Sequence, residues 1–414
     1  MPRTSVRIQN FRSLKGPFEV EIAPITVLLG ENSSGKTALL AAIYASLRSF
    51  VPIPERLIDE PFLLPTPETQ LTRGQTTMQL GSTRYNREHK FKCNAVFAKG
   101  SNFWSPSLVS ASVGDVADVT SIRSKGRKYT YSYSFFDGDN RVFPRAAPSV
   151  YFGPQMHIPE FLASALRRQS RQTHSSFSTE PRYWVSKFLS QGSIHATAAL
   201  RTQPQRMYDM RSITASAHGE NIPQKLNNLL KSRSKSSREI REALNCFGRT
   251  SGLFDGIASK GIRTPAGEMF SLVLKFEDIL DTIQDVGYGI SQILPIVSEI
   301  LLNQSADLFL IQQPEVHLHP KSQVSLASFF SSISQSLSKQ FVIETHSDYI
   351  VDRLRVEVKE GRLEPDDILI YFLKKTQGET QLTAITVDRQ GNLIGAPSDL
   401  RVFFMRDQMT LLGL

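Results

Sequence analysis

The segment Gly30-Glu31-Asn32-Ser33-Ser34-Gly35-Lys36-Thr37 constrains the fold of this chain more than any other. It follows an apolar run at residues 25–29 and precedes residues 38–49, which are rich in Ala and Leu and free of Gly and Pro. A buried strand therefore feeds a helix through a glycine-rich turn, the setting in which this pattern acts as a phosphate loop. Gly30 and Gly35 let the backbone curl until successive N–H groups of Asn32, Ser33 and Ser34 can face phosphate oxygens, and the helix N-terminus adds its positive dipole end. Lys36 is placed to reach the β and γ phosphates and Thr37 to hold magnesium. GTPases, kinases and ATPases all remain open at this point.

The rest of the chain narrows the choice. Residues 5–9 and 18–22 alternate apolar with polar and read as strands, and residues 75–151 break into short β-type pieces such as 90–98 and 127–136, an antiparallel β lobe. Beyond it, a strand at 271–276 leads to a helix at 290–302, a strand at 308–311, a helix at 321–336, a strand at 340–344 and a helix at 347–360. That alternation implies parallel βαβ units. Residues 368–387 read as two strands around a turn at 376–380.

With 40% hydrophobic and 21% charged residues among 414, the chain can bury a full core, which excludes disordered and fibrous classes. Its two cysteines, Cys93 and Cys246, lie far apart, supply neither a disulfide framework nor a zinc cluster, and suit a reducing compartment. There is no apolar leader, and the most apolar stretch, 290–302, is interrupted by Gln292, Pro295, Ser298 and Glu299, short of the roughly 20 apolar residues a span needs. A cytoplasmic protein without a membrane segment is expected.

Three further segments belong with the phosphate loop. In Asp285-Val286-Gly287-Tyr288-Gly289-Ile290-Ser291-Gln292, small residues and a serine open a helix and suit contact with a phosphate through backbone amides. In Leu308-Phe309-Leu310-Ile311-Gln312-Gln313-Pro314-Glu315-Val316-His317-Leu318-His319-Pro320, an apolar strand ends in polar residues, where such folds place magnesium-organising and water-activating acids. His317 and His319 are weak metal ligands on this pattern and are expected to pack and hydrogen-bond. In Phe341-Val342-Ile343-Glu344-Thr345-His346-Ser347-Asp348, His346 stands at a strand's carboxyl end, able to sense a γ-phosphate.

Together with Val6-Arg7-Ile8-Gln9-Asn10-Phe11 and Tyr151-Phe152-Gly153-Pro154, this order of motifs resembles the ABC-type ATPases of the OLD-like AAA group, cousins of the SMC and RecF ATPases. The resemblance covers about residues 1–60 and 270–372. It implies an α/β fold, an ABC-type P-loop ATPase head with an antiparallel β lobe and an inserted basic helical lobe. The parts would be 1–67 (head, with the phosphate loop), 68–150 (β lobe), 151–255 (basic insertion), 256–372 (second half of the head) and 373–414 (a cap). It implies ATP and Mg2+ as cofactors. Gly30, Asn32, Ser33, Ser34, Gly35, Lys36 and Thr37 would bind the nucleotide, and Gly287, Gly289, Ser291 and Gln292 would complete the partner's site in a homodimer or higher oligomer formed through ATP. His346 would be the switch histidine. Lys36, Gln312, Gln313 and Glu315 would complete the catalytic set, with Thr37 and position 312 at the metal.

One departure is expected to matter. The group usually has an acid where this chain has Gln312, and an amide neither binds magnesium as an anion nor takes a proton. Hydrolysis should be impaired and ATP binding retained, with Glu315 or Glu344 as alternative carboxylates. Because Glu→Gln is the usual change for trapping ATP, Gln312 reads as an engineered residue in preference to that of a natural weak ATPase. About 41 residues follow Leu373, too few for the TOPRIM nuclease domain of full OLD proteins, so no nuclease activity is expected.

Residues 151–250 hold 15 Lys+Arg against 6 acids, an excess equal to the whole formal charge of +9. Arg167, Arg168 and Arg171, with Lys231, Arg233, Lys235, Arg238 and Arg241, could follow a phosphate backbone without reading sequence, and Tyr183 and Trp184 could stack on bases; an ordinary solvated surface is the competing view. The resemblance implies a stand-alone ATPase that controls a separate effector, a nuclease or toxin, as in antiphage systems such as Septu and PARIS. A RecF/SMC-like DNA-repair ATPase and a non-hydrolysing ATP-binding scaffold are the alternatives.

Overall fold

The computed structural model describes residues 4–48, 71–85, 90–98, 107–113, 117–123, 128–137, 140–142, 150–151, 193–199, 201–210, 218–264, 267–304, 306–398 and 400. In chain order come β1 (Thr4–Gln9), β2 (Phe18–Ile22), β3 (Ile25–Gly30), α1 (Lys36–Arg48), β4 (Thr77–Tyr85), β5 (Lys90–Ala98), β6 (Leu108–Val113), β7 (Ala117–Arg123), β8 (Lys128–Asp137), β9 (Asn140–Val142), β10 (Val150–Tyr151), β11 (Ser193–Thr197) and β12 (Tyr208–Asp209). There follow α2 (Ile222–Lys231), α3 (Lys235–Ser251), β13 (Gly256–Thr264), β14 (Gly267–Phe276), β15 (Ile279–Thr282), α4 (Tyr288–Leu302), β16 (Ala306–Gln312), α5 (Pro320–Leu337), β17 (Gln340–Glu344), α6 (Asp348–Lys359), β18 (Ile368–Thr376), β19 (Glu379–Val387) and β20 (Leu393–Ile394).

The site is organised by a seven-stranded sheet of order β11-β16-β17-β3-β18-β19-β20, parallel from β11 through β18. Its centre, β3, is buried on both faces, as a parallel strand flanked by helices must be. Leu28 faces one core with Leu310 and Val342, and Ile25, Val27 and Leu29 face the other with α4, α5 and α6. A second sheet, antiparallel, runs β10-β8-β7-β6-β5-β4-β1-β2 with β9 on β8. Helix α1 lies between the two: Leu39, Leu40, Ile43 and Leu47 share one buried cluster with Val6 and Ile8 of β1, Leu80 of β4 and the inner face of the parallel sheet. A small antiparallel sheet, β12-β14-β13 with β15 on β14, carries α2 and α3.

The helices start where local chemistry dictates. Ser234 caps α3 by accepting from Ser237 N, Ser347 caps α6 by accepting from Ile350 N, and α3 stops at Gly252 in the left-handed conformation. Pro320 at the first turn of α5, capped by His319, does no harm because its missing N–H is an orphan there anyway. Asp366 and Asp367 lie in a 3₁₀ turn leading to β18, where Asp367 caps the turn by accepting from Glu364 N.

Two observations differ from the sequence reading. The segment read as a helical insertion contributes β11 to the parallel sheet, paired with β16 from Ser193 to Thr197. Five residues with one alternation are too few to stand out within a polar, basic stretch. The other concerns β1 and β2, which extend the antiparallel sheet through β1–β4 pairing and so join the phosphate-loop segment to the β lobe. Phe152, Gly153, Pro154, Arg167, Arg168, Arg171, Tyr183 and Trp184 lie outside the described residues.

Candidate functional site

At the carboxyl end of β3 the chain turns through Gly30 (φ 145°), Ser33 (φ 61°) and Gly35 (φ 108°) before α1 begins at Lys36. Gly30 and Gly35 are forced: a Cβ on Gly30 would stand 2.1 Å from Leu373 O, and one on Gly35 would stand 2.4 Å from Thr380 Oγ1. Thr380, at the start of β19, donates its hydroxyl to Ser34 O (2.9 Å), shares a hydrogen bond with Ser13 Oγ (2.8 Å), and its N–H donates to Ser13 O (3.1 Å). The loop is thus braced by two turns from opposite ends of the sequence. Glu31, Asn32 and Ser33 are exposed at its crest.

Lys36 curls back to donate to Gly30 O (2.8 Å) and Glu31 O (2.6 Å). Burial pushes its pKa down, while Glu344, Glu315 and Glu31 pull it up; the net shift is downward. Thr37 donates its hydroxyl to Glu344 Oε1 (2.7 Å) and accepts from Gln312 Nε2 (3.2 Å). Gln312 and Glu344 are partners in the β16–β17 register, so the strand ends bring an amide and a carboxylate together over the start of α1. Gln312 Oε1 in turn accepts from Ala199 N (3.3 Å). Gln313, at φ 44°, donates its N–H to Glu344 O (2.8 Å).

Behind this line lies Glu315, whose Oε1 accepts from His346 N (2.7 Å). Burial raises its pKa, offset in part by hydrogen bonds from His346 and Thr345 and by the charge of Arg201. Arg201 is 5% exposed and donates to Gln312 O (2.9 Å), while its Nε and Nη1 have no hydrogen-bond partner. Burial pushes its pKa down to about 10, which leaves it charged at neutral pH. In the sequence this residue was one cation among many, and no spacing or motif set it apart. The His346 side chain is exposed, and desolvation together with the Lys36 charge holds its pKa below the ordinary range.

The segment around α4 stands apart from the phosphate loop. Gly287 caps the helix without a side chain, exposed, with open space where a Cβ would be. Tyr288 is 45% exposed and meets His317 edge to face at 4.7 Å. Gly289 packs against His317 O, 2.4 Å from where a Cβ would be. Ser291 is buried and donates to Tyr288 O (2.7 Å), and Gln292 is buried in the core. What α4 presents outward is therefore its amino end, with Gly287 and Tyr288. His319 Nδ1 caps α5 by accepting from Lys321 N (3.3 Å).

The residues present suit a magnesium–nucleotide. Glu344 is buried, and its Oε2 lacks any hydrogen-bond donor, an arrangement that a cation would relieve. Among the described residues no group of three or more His, Cys, Asp or Glu is gathered to hold a metal, so an ion here would depend on phosphate oxygens as well, as magnesium sites commonly do.

A sequence-family profile described as "AAA domain, putative AbiEii toxin, Type IV TA system" matches residues 25–352, from the first residue of β3 into α6. The chain belongs to this AAA family. It is an α/β domain with a phosphate loop, and nucleotide binding is the activity its family supports. No curated protein matches this AAA-family chain. Solved structures similar to it include the SMC head domain from Thermotoga maritima (10% identity, TM-score 0.42, covering 92% of this chain and 98% of that one). An SmcHead bound to the C-winged helix domain of ScpA is similar at 11% identity and TM-score 0.48, covering 93% and 98%. A third, the Smc head domain with an extended coiled coil bound to the C-terminal domain of ScpA derived from Pyrococcus furiosus, gives 11% and 0.40, covering 100% and 99%. Among the described residues no helix is long and apolar enough to cross a membrane.

Proposed function

We propose that the chain binds ATP with magnesium at the loop 30–37, dimerises through it, and controls a separate effector, a nuclease or toxin, with slow hydrolysis as the timer. The observation that supports this most is the braced loop delivering Lys36 and Thr37 against the ends of β16 and β17. Lys36 would leave its two carbonyl partners for phosphate oxygens, and the amide groups at the start of α1 would take the remaining phosphate charge. A magnesium ion bound there would supply neutralisation of the phosphate charge. Thr37 would hold the ion by its hydroxyl, and His346 would stand over the γ-phosphate.

Turnover would be slow because positions 312 and 313 both carry amides, neither of which accepts a proton from water. The same observation favours a second reading, a scaffold that binds ATP without turnover. Hydrolysis by the chain and by its Gln312→Glu and Gln313→Glu forms separates the two. A rise of about 10²-fold in either variant marks a slow ATPase lacking only its base; absence of turnover in all three favours the scaffold.

Dimerisation would use the exposed amino end of α4, whose free amides suit the partner's phosphates. Gly287→Glu sets a carboxylate there in open space, so the fold and nucleotide binding should persist while ATP-dependent dimerisation, read by sedimentation velocity, is lost. Undiminished dimerisation of that variant would refute this interface. The effector and the antiphage setting rest on the resemblance of the motif set; their readout is the dependence of effector activity on the ATP-bound state.

A further inference from the structure

We infer that the carboxylate organising magnesium in this chain has moved one strand over, from the end of β16 to Glu344 at the end of β17. The inference rests on the nucleotide reading above and concerns the chain's own residues toward the ion. Gln312 turns its amide NH2, a donor, toward Thr37 Oγ1 (3.2 Å), and its one acceptor oxygen is engaged by Ala199 N (3.3 Å). A donor facing the metal-side hydroxyl is the wrong group for a hard cation, which takes oxygen ligands. Glu344 supplies what is missing. Its register partners are Gln312 on β16 and Leu28 on β3, so it stands between the strand that usually carries the acid and the strand that leads into the phosphate loop.

Three features mark it as more than a buried structural glutamate. It is 2% exposed, and Oε1 receives the Thr37 hydroxyl at 2.7 Å, which ties it to the metal-side residue of the loop. Among the described residues Oε2 is buried without a hydrogen-bond partner: Lys36, whose charge reaches the carboxylate, is committed to the carbonyls of Gly30 and Glu31, and the Gln312 amide that also faces it is bonded to Thr37 Oγ1. A carboxylate kept dry and half satisfied is costly unless something charged arrives. The second carboxylate near the site, Glu315, also has an unpartnered Oε2, but its Oε1 is held by His346 N, the charge of Arg201 already faces it, and it makes no contact with Thr37.

The test uses the full chain with Mn2+ as probe, its binding followed by loss of the free-ion electron paramagnetic resonance signal in the presence of ADP, and ADP affinity measured separately in EDTA. Glu344→Gln keeps the shape of the side chain; it should weaken Mn2+ at least tenfold and leave metal-free ADP affinity within about threefold, a tenfold change being 1.4 kcal/mol. Moving the acid back, in the double variant Gln312→Glu with Glu344→Gln, should recover most of the lost Mn2+ affinity. Glu344→Asp, which keeps the charge on a shorter arm, should fall between wild type and the amide, and it decides the matter if the amide variant does not fold. ADP binding with Mn2+ affinity unchanged in the Gln or the Asp form would overturn the relocation alone. Failure of the wild-type chain to bind ADP at all would overturn the nucleotide reading and this one with it.

Discussion

Gly35 shows how little freedom single residues have around the loop. Its φ of 108° and the 2.4 Å approach of a would-be Cβ to Thr380 Oγ1 mean that Gly35→Ala both strains the backbone and pushes on the brace. The expected cost is about 1–3 kcal/mol of unfolding free energy in a urea titration, with nucleotide affinity falling alongside. Lys36→Ala should act differently, removing nucleotide affinity while leaving the melting temperature near wild type, because Lys36 only spans two carbonyls of its own loop. The loop was legible from eight consecutive residues because its chemistry is local. Glu344 was legible only as a spare carboxylate: its contact with Thr37 joins the end of β17 to the first turn of α1, some three hundred positions apart, and no spacing rule reports that.

Among the elements, α6 and α2 show where charge is spent on structure. Glu357 of α6 is buried and bonded by Arg353 (2.8 Å), Ser328 (2.8 Å) and Arg362. Burial alone would push its pKa up, but the hydrogen bonds from Arg362 and Ser328 and the charges of both arginines bring it below the ordinary 4.5. Stability from this group is therefore present above about pH 4.5 and lost as pH falls through the lower native value. Acid titration of the melting temperature should show that loss in wild type and a flatter profile in Glu357→Gln. From α3, Arg241 reaches across to the carbonyls of Leu229 (3.2 Å), Leu230 (3.1 Å) and Ser232 (3.1 Å), the orphan acceptors at the end of α2. Arg241→Ala should cost about 1–3 kcal/mol by chemical denaturation. Arg201, Lys225 with Glu299 and Arg206 with Asp285 are likewise engaged. Composition left the basic excess open between a surface for nucleic acid and an ordinary solvated one; these cations are engaged within the fold or in ion pairs on it, which composition cannot distinguish from a patch. The helices from α4 to α6 were legible within two residues at each end, since each shows apolar periodicity and a cap; β11 was not, for want of length.

Over the whole molecule, the sheet order is what the sequence did not disclose. Alternating strands and helices announce parallel pairing but not that β3 lies between β17 and β18, with Leu28 beside Glu344 and Gly30 beside Leu373. Residues numbered far apart are thereby made to depend on each other. Thr380→Val removes the hydroxyl that holds Ser34 O and Ser13 Oγ, and it should lower both stability, by about 1–2 kcal/mol, and ADP affinity, severalfold, though Thr380 has no place among the phosphate-binding residues. Calorimetric titration of the variant checks the coupling; an affinity equal to wild type would show that the brace is structural only.

The position of β3 also sets a timetable. The strand that leads into the phosphate loop is made some three hundred residues before either of its neighbours, Gln340–Glu344 and Ile368–Thr376. At 5–20 residues per second a ribosome takes on the order of 15–60 s to cover that gap. Through that interval an apolar strand with two open edges must be kept from pairing elsewhere, and the loop has no brace until β18 and β19 have emerged.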